Sequence, residues 1–269
     1  MRRVLGIIVF VLGIAVVSFF LYQNSRIREE EISMAAGATI LFMKGDVCYM
    51  TSGGDKYLKA VPGVTLLEGY RMETGRDSWA EVGFDEEAHN VAKIYENTMV
   101  SFKSVGSVEL GLLKGKVRAL VEKLDEGSNF KVKTPTAICG ARGTGWDIQT
   151  DGLEVIVEVH ENKVYLKKLP HEGYVEELVI IDAGSRVHII DLKKPIVTED
   201  LDPKKREDWV RWKKDFKERL KPLAKVPSNV SDTPDGHISK DDGKRVWVEK
   251  SENGDFQLMV TTEDEEEAR

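Results

Sequence analysis

The pattern of apolar and polar positions divides the chain into stretches of different period. Val4 to Tyr22 is an unbroken run of 19 uncharged, mostly apolar residues. As a helix it would be about 28 Å long, close to the roughly 30 Å hydrocarbon core of a bilayer. From Thr39 to Asp191 the period falls to two. Ala80, Val82 and Phe84 alternate with Glu81 and Gly83, and Phe130 and Val132 alternate with Lys131 and Lys133. Leu153, Val155, Val157 and Val159 share one face, with Glu154 and Glu158 on the other. That period predicts half-buried strands. Asp151-Gly152 predicts a tight hairpin before the Val run, because a type I′ turn needs positive φ twice. Gly63, Gly69, Gly75, Gly127 and Gly184 punctuate further strands, and no helical pattern interrupts them. The expected fold is mainly β, an antiparallel β-sandwich or a short β-solenoid.

After Asp202, which suits an N-cap followed by Pro203, the period changes to that of a helix. Trp209, Trp212, Phe216, Leu220 and Leu223 recur every three or four residues, one apolar stripe. Pro222 should end or kink that helix. Further on, Arg245 to Val248 is an expected strand that pairs with Phe256 to Val260. The chain closes on the acidic run Glu263 to Glu267, expected to be a solvated tail. The expected organisation is a cytoplasmic stub 1–3, a transmembrane helix 4–22, a linker 23–38, a β domain 39–194, an amphipathic helix 195–226 and a polar tail 227–269.

Charge and cysteine content narrow the function. The 269 residues carry a net charge of −7, which excludes a wholesale nucleic-acid binder. The helical segment from Pro203 to Lys225 is the exception, with ten Lys/Arg against four Asp/Glu, a local net of +6. Two cysteines, Cys48 and Cys139, build neither a zinc finger nor a disulfide scaffold. They pair only if the fold brings their Cα atoms within about 7 Å. Arg2 and Arg3 before the apolar run favour a cytoplasmic N-terminus. Bulky Phe19, Phe20, Leu21 and Tyr22 stand where a signal peptidase needs small residues, so the run reads as an uncleaved anchor. The expected location is the bacterial inner membrane, single pass, with the bulk of the chain periplasmic.

Several segments of the β region resemble the FecR-type extracytoplasmic domain. Gly45-Asp46-Val47 opens the resemblance, followed by Leu66, Gly69, Thr74-Gly75, Ser78 and the alternating Ala80 to Phe84. Glu96-Asn97-Thr98 and Leu113 to Arg118 continue it. The most specific piece is Lys131-Val132-Lys133-Thr134-Pro135-Thr136-Ala137, leading into Gly140-Ala141-Arg142-Gly143-Thr144. The resemblance spans roughly Thr39 to Ile190. Departures are Tyr70 where the family has Asp, Glu86-Glu87-Ala88-His89 where an Asp-Gly turn is usual, and Asn162 in place of Gly. Asn tolerates the left-handed region, so the turn at Asn162 should survive. Only Met1-Arg2-Arg3 precede the apolar run, where the family's regulators carry a cytoplasmic segment that handles a sigma factor. The resemblance therefore implies an envelope-facing binding module, a sensor or scaffold in signal transduction, without catalysis. An envelope-polymer or glycan-binding module is the alternative, favoured if aromatic residues gather on one exposed sheet face. Its expected partners are other envelope or inner-membrane proteins and, through residues 4–22, the bilayer.

On physical grounds the hallmark residues read as structural. Thr134-Pro135 suits a strand end, because proline fixes φ and lacks an N–H. Gly140, Gly143 and Gly145 permit a close-packed backbone path, with glycine spacing wrong for a dinucleotide loop. Arg142 has five donors for loop carbonyls or, alternatively, for a ligand carboxylate or phosphate. Gly45, Asp46, Thr74, Gly75, Thr136 and Thr144 belong to the same framework. Trp209, Trp212 and Phe216 either pack back on the β domain or dock on a partner. The basic flank of that helix could instead touch anionic lipid beside the anchor.

Catalytic and metal patterns are incomplete. Ser33-Met34 beyond an anchor, with Lys44 as base, resembles a signal-peptidase dyad, but the flanking proline and the later Gly-Asp-Asn box are absent. The five histidines form no HxH or HExxH pair. Glu158, His160 and Glu161 could cluster on a strand, although surface charge alternation accounts for them as well. No cofactor is expected.

Overall fold

Where the chain of a two-layered β protein leaves one sheet for the other, the tightest passages need a residue at positive φ. The computed structural model describes residues 37–104, 107–124, 128–169, 177–223, 237–239, 244–250 and 255–262. They form twenty strands and one helix. The expectations for 1–3, 4–22, most of the linker and the acidic tail lie outside the described residues. Within the described residues no helix is long and apolar enough to cross a membrane.

Sheet A runs in the order β18 (His237–Ser239), β19 (Lys244–Lys250), β20 (Asp255–Thr262), β1 (Ala38–Lys44), β6 (Trp79–Gly83), β7 (Asn90–Ile94) and β9 (Glu109–Val121). It continues through β12 (Thr144–Thr150), β13 (Val155–Glu161), β16 (Ser185–Ile189) and β17 (Thr198–Asp200). The short β4 (Thr65–Leu66) pairs with the start of β1. Sheet B runs β3 (Leu58–Lys59), β2 (Val47–Met50), β5 (Arg71–Thr74), β8 (Met99–Ser104), β9, β10 (Phe130–Lys133), β11 (Ala137–Ala141), β14 (Lys163–Lys168) and β15 (Leu178–Asp182). Every pair is antiparallel except β9–β10. Strand β9 belongs to both sheets. Its first half lies in sheet B and its second half in sheet A, with the change at Gly115.

Seven of the passages between the layers turn on one positive-φ residue each, Gly45, Asp77, Asn97, Gly115, Gly143, Asn162 and Gly184, with φ from 49° to 98°. The registers place the first four along one edge of sheet A and the last three along the opposite edge. Asn162 does adopt the left-handed region, at φ 49°. The core lies between the sheets and takes Ile40, Val82, Val117 and Trp146 from sheet A and Met72, Val100, Leu110 and Leu166 from sheet B. A bulge at Leu41 lets β1 serve two sides. Ile40 and Met43 enter this core, while Phe42 turns to the outer face of sheet A.

The 151–154 turn differs from the tight hairpin expected. Thr150 pairs with Val155, so four residues form the turn. The Asp151 carboxylate accepts the N–H groups of Leu153 and Glu154, each at 2.9 Å. Leu153 therefore stands outside the strand and is 78% exposed, not on the Val155–Val159 face. Cys48 on β2 and Cys139 on β11 are five strand steps apart in sheet B. At about 4.8 Å per step that is about 24 Å, too far for a disulfide. Both are free thiols.

The helix α1 (Pro203–Leu223) begins at the expected Asp202–Pro203 boundary, with Asp202 Oδ1 accepting the Lys204 N–H at 2.9 Å. Residues 198–200 before it are the last strand of sheet A. β19 and β20 form the expected C-terminal hairpin, with Val246 opposite Val260.

Candidate functional site

Strand alternation gives sheet A a second face, and α1 lies on it. The stripe Trp209, Trp212 and Phe216 is buried against Phe42, Val91 and Leu120. Phe216 meets Phe42 edge-on at 6.2 Å, and Trp209 stacks on His160 at 4.7 Å with planes 8° apart. A Cβ at Gly145 would lie 2.8 Å from Trp209 Cε2 and closer still to Cζ2 and Cη2. Only glycine admits the tryptophan there. The three aromatic residues considered for a partner are thus occupied by the chain's own sheet.

Beneath the helix runs a row of charges in direct cross-strand register: Glu81, Lys93, Arg118, Asp147, Glu158 and Arg186. Glu81, Arg118, Asp147 and Glu158 are buried. Period-two alternation marks Glu81 and Glu158 as outward-facing, and α1 covers that outward face. Arg118 forks onto Asp147, Nε to Oδ1 at 2.7 Å and Nη2 to Oδ2 at 2.9 Å, and its Nη2 also meets Asp208 of α1 at 3.2 Å. Lys116 Nζ reaches Asp147 at 2.6 Å. Glu81 accepts from Trp212 Nε1 at 2.7 Å and Arg219 Nη1 at 2.7 Å. Lys205 approaches Glu158 at 3.6 Å, and Lys213 holds Glu161 at 2.9 Å. Lys205 and Arg219 are separated by about 21 Å of helix, which matches the four strand spacings of about 4.8 Å between their partners on β13 and β6. The excess positive charge of α1 is thereby matched to the acids of the sheet.

Burial on its own raises the Asp147 pKa, but the long contact from His160, the Arg118 fork and the Lys116 charge outweigh it. Its carboxyl stays well below the usual carboxylate range. Burial opposes the charge of Arg118, yet the Asp147 hydrogen bonds hold that guanidinium charged.

The residues weighed for a metal divide. Glu158 and His160 do come together, and Asp147 joins them with ligand atoms within 4.8 Å of one another. Glu161 does not, because it accepts from Trp209 Nε1 at 3.2 Å and from Lys213. Both Asp147 oxygens already carry a cation, and Glu158 has Lys116, Arg186 and Lys205 within 4.0 Å. A divalent ion would enter a site whose negative charge is already matched, so this donor set does not fit a metal. Ser33 lies outside the described residues, and Lys44 ends β1.

The hallmark residues form corners. Gly45 turns at φ 76°, the Asp46 N–H donates to Ser78 Oγ at 2.8 Å, and the Gly75 N–H donates to the Asp46 carbonyl at 2.8 Å. Thr74 Oγ1 donates to the Tyr95 carbonyl at 2.5 Å and accepts the Thr98 N–H at 3.0 Å. Thr134 closes the β10–β11 hairpin around Pro135 and Thr136, accepting the Ala137 N–H at 2.9 Å. Arg142 Nε donates to the Ser128 carbonyl at 3.0 Å. Thr144 Oγ1 binds the Glu161 carbonyl, and Asn162 Nδ2 binds that of Gly143. The Tyr165 ring covers Gly140 on the outer face of sheet B. No helix follows the Gly140–Gly145 run.

Residues 70–165 match the FecR protein family. The match runs from the residue before β5 into β14, so the FecR resemblance is shown over these strands. Two crystal structures of a "putative anti-sigma factor" from Parabacteroides distasonis ATCC 8503 are similar to the chain. Each has 14% identity and a TM-score of 0.43, and covers 71% of this chain and 98% of the other. Among curated proteins no match is found.

Proposed function

We propose that this protein is a membrane-anchored, extracytoplasmic FecR-like binding module that acts as an envelope sensor or protein-interaction scaffold in signalling. The FecR match over residues 70–165 carries this reading. The engagement of the hallmark side chains in corner hydrogen bonds supports it, because they then serve the framework rather than a reaction. The apolar run from Val4 to Tyr22 supports the anchor, and Arg2 and Arg3 support the orientation. The test is crosslinking of the full-length protein in native membranes, followed by purification and mass spectrometry. A single abundant protein partner is expected. Recovery of the protein alone, or with glycan fragments, would refute the reading and turn attention to envelope polymers.

A further inference from the structure

At the end of the sandwich where β6 turns into β7 there is a cavity of about 290 Å³. That is the size of a small ligand site, room for one side chain or a small molecule. Its floor is apolar. Phe84, Val108 and Leu124 line it, the first two buried in the core and the third packed against it. Its mouth is acidic. Asp85, Glu86 and Glu87 line it from the β6–β7 loop, three carboxylates against the single ammonium of Lys123.

The loop is held from within. Asp85 Oδ1 and Oδ2 accept the N–H groups of His89 and Asn90 at 2.8 Å each, so both oxygens are engaged. His89 Nδ1 lies 3.1 Å from Glu87. These groups form no ready set of metal ligands; among the described residues the one such set is Asp147, Glu158 and His160. Asn90 is different. It lines the same cavity and is 7% exposed. Its Nδ2 donates to the Lys123 carbonyl at 2.5 Å, which fixes the amide. Its Oδ1 is buried and, among the described residues, has no hydrogen-bond donor. A buried acceptor left unpaired is unfavourable, and the cavity is the space from which a donor can reach it.

We propose that this cavity receives a primary ammonium carried on an apolar stem, the chemistry shared by a lysine side chain of another protein and a free alkyl amine. The ammonium donates to Asn90 Oδ1, the stem lies on Phe84, Val108 and Leu124, and Glu86 and Glu87 supply the opposite charge. An ammonium has three donors and no acceptor, which suits an orphaned acceptor. An anion fails on both counts, because the unpaired group accepts and the mouth is net negative. This inference rests on the binding-module reading and adds a site and the chemistry that fills it.

The test uses full-length, isotope-labelled protein in detergent micelles. Titration with n-butylammonium chloride should shift the amide NMR signals of His89 and Asn90 saturably, and n-butanol should not. Asn90→Ala should weaken binding about tenfold or more, since a hydrogen bond to a charged group is lost. That change also strips the Lys123 carbonyl of its donor, so Glu86→Gln with Glu87→Gln is the second variant. Both residues are exposed. Its unfolding midpoint should hold while binding weakens about fivefold at low salt. No saturable shift with the ammonium, equal binding of the alcohol, or unchanged affinity in the glutamine variant would overturn the proposal. An acetylated and amidated Gly-Lys-Gly peptide separates the two sources. Binding by the peptide assigns the site to a lysine of another protein, and binding by n-butylammonium alone assigns it to a free amine. Crosslinking in native membranes does not depend on this cavity. A single captured partner beside a failed titration would sink the cavity and leave the binding-module reading standing, and failure of both would sink both.

Discussion

Gly145→Ala is a one-carbon change with an effect that depends on a residue 64 positions away in sequence. The new methyl would enter the space of the Trp209 indole, 2.8 Å from Cε2 and nearer still to two other ring atoms. That indole is 1% exposed, sits on His160 and donates to Glu161 at 3.2 Å, so it has no free direction in which to move. Overpacking of this kind costs about 1–3 kcal/mol. Trp209→Ala alone should cost about 3–5 kcal/mol by leaving a cavity under α1. On that background the alanine at 145 has room, and its effect should change sign, stabilising the strand by about 0.5–1 kcal/mol relative to glycine. The double variant should then be less destabilised than the sum by about 1.5–4 kcal/mol. Urea unfolding of all four proteins in detergent, followed by tryptophan fluorescence and by far-UV circular dichroism, measures this cycle. Additivity within about 0.5 kcal/mol would refute the claim that Gly145 is glycine because Trp209 docks there.

Three further outcomes follow from the same contacts. Thr98→Val removes the hydroxyl that donates to the Glu96 carbonyl and accepts the Lys116 N–H, each at 3.0 Å. It should cost about 1–3 kcal/mol in urea unfolding, since a buried N–H loses its partner. Asp147 ionises below its unfolded value of about 3.9, so its contribution is complete above that pH and is lost as pH falls through the lower folded pKa. Wild-type stability should therefore decline below about pH 4 more steeply than that of Asp147→Asn, read from urea midpoints between pH 2 and 6; equal slopes would contradict the depressed pKa. Thiol titration of the native protein should detect Cys48 alone, because Cys139 is fully buried and burial pushes its pKa up. Both should react after denaturation, and a disulfide in protein isolated without reductant would contradict the five-strand separation.

Local chemistry was legible in the sequence, and the covering of one element by another was not. Period two located the strands, Thr134-Pro135 a strand end, Asn162 a left-handed corner and Asp202-Pro203 the helix start. Each of these is decided within a few residues. Alternation distinguishes two faces of a strand but is silent on what lies over the polar one. Glu81 and Glu158 consequently read as solvated although both are buried. Arg118 and Asp147 carried no pattern that linked them, since they meet only through strand pairing across 29 positions. A signal for the covered face was present, however. The net +6 of the helical segment and the acids on the outward positions of β6 and β13 are complementary. Leu153 shows the converse limit, where alternation continued into a turn that the Asp151 side chain had already fixed.

Where a partner can bind follows from what the framework already uses. The corners along both edges are filled by hydrogen bonds of Thr74, Thr98, Thr144 and their neighbours, and substitution there disturbs the passage of the chain between layers. The outer face of sheet A is covered by α1 and its matched charges, so a partner seeking that face must first displace Trp209, Trp212 and Phe216. Displacing them would expose three large aromatic side chains and leave Glu81 without its Arg219 and Trp212 donors. Leaving a buried carboxylate short of donors costs about 3–5 kcal/mol, a large part of the roughly 8 kcal/mol that a micromolar interface supplies in total. The outer face of sheet B and its β15 edge demand no such displacement. A partner that binds outside α1 leaves these buried contacts intact.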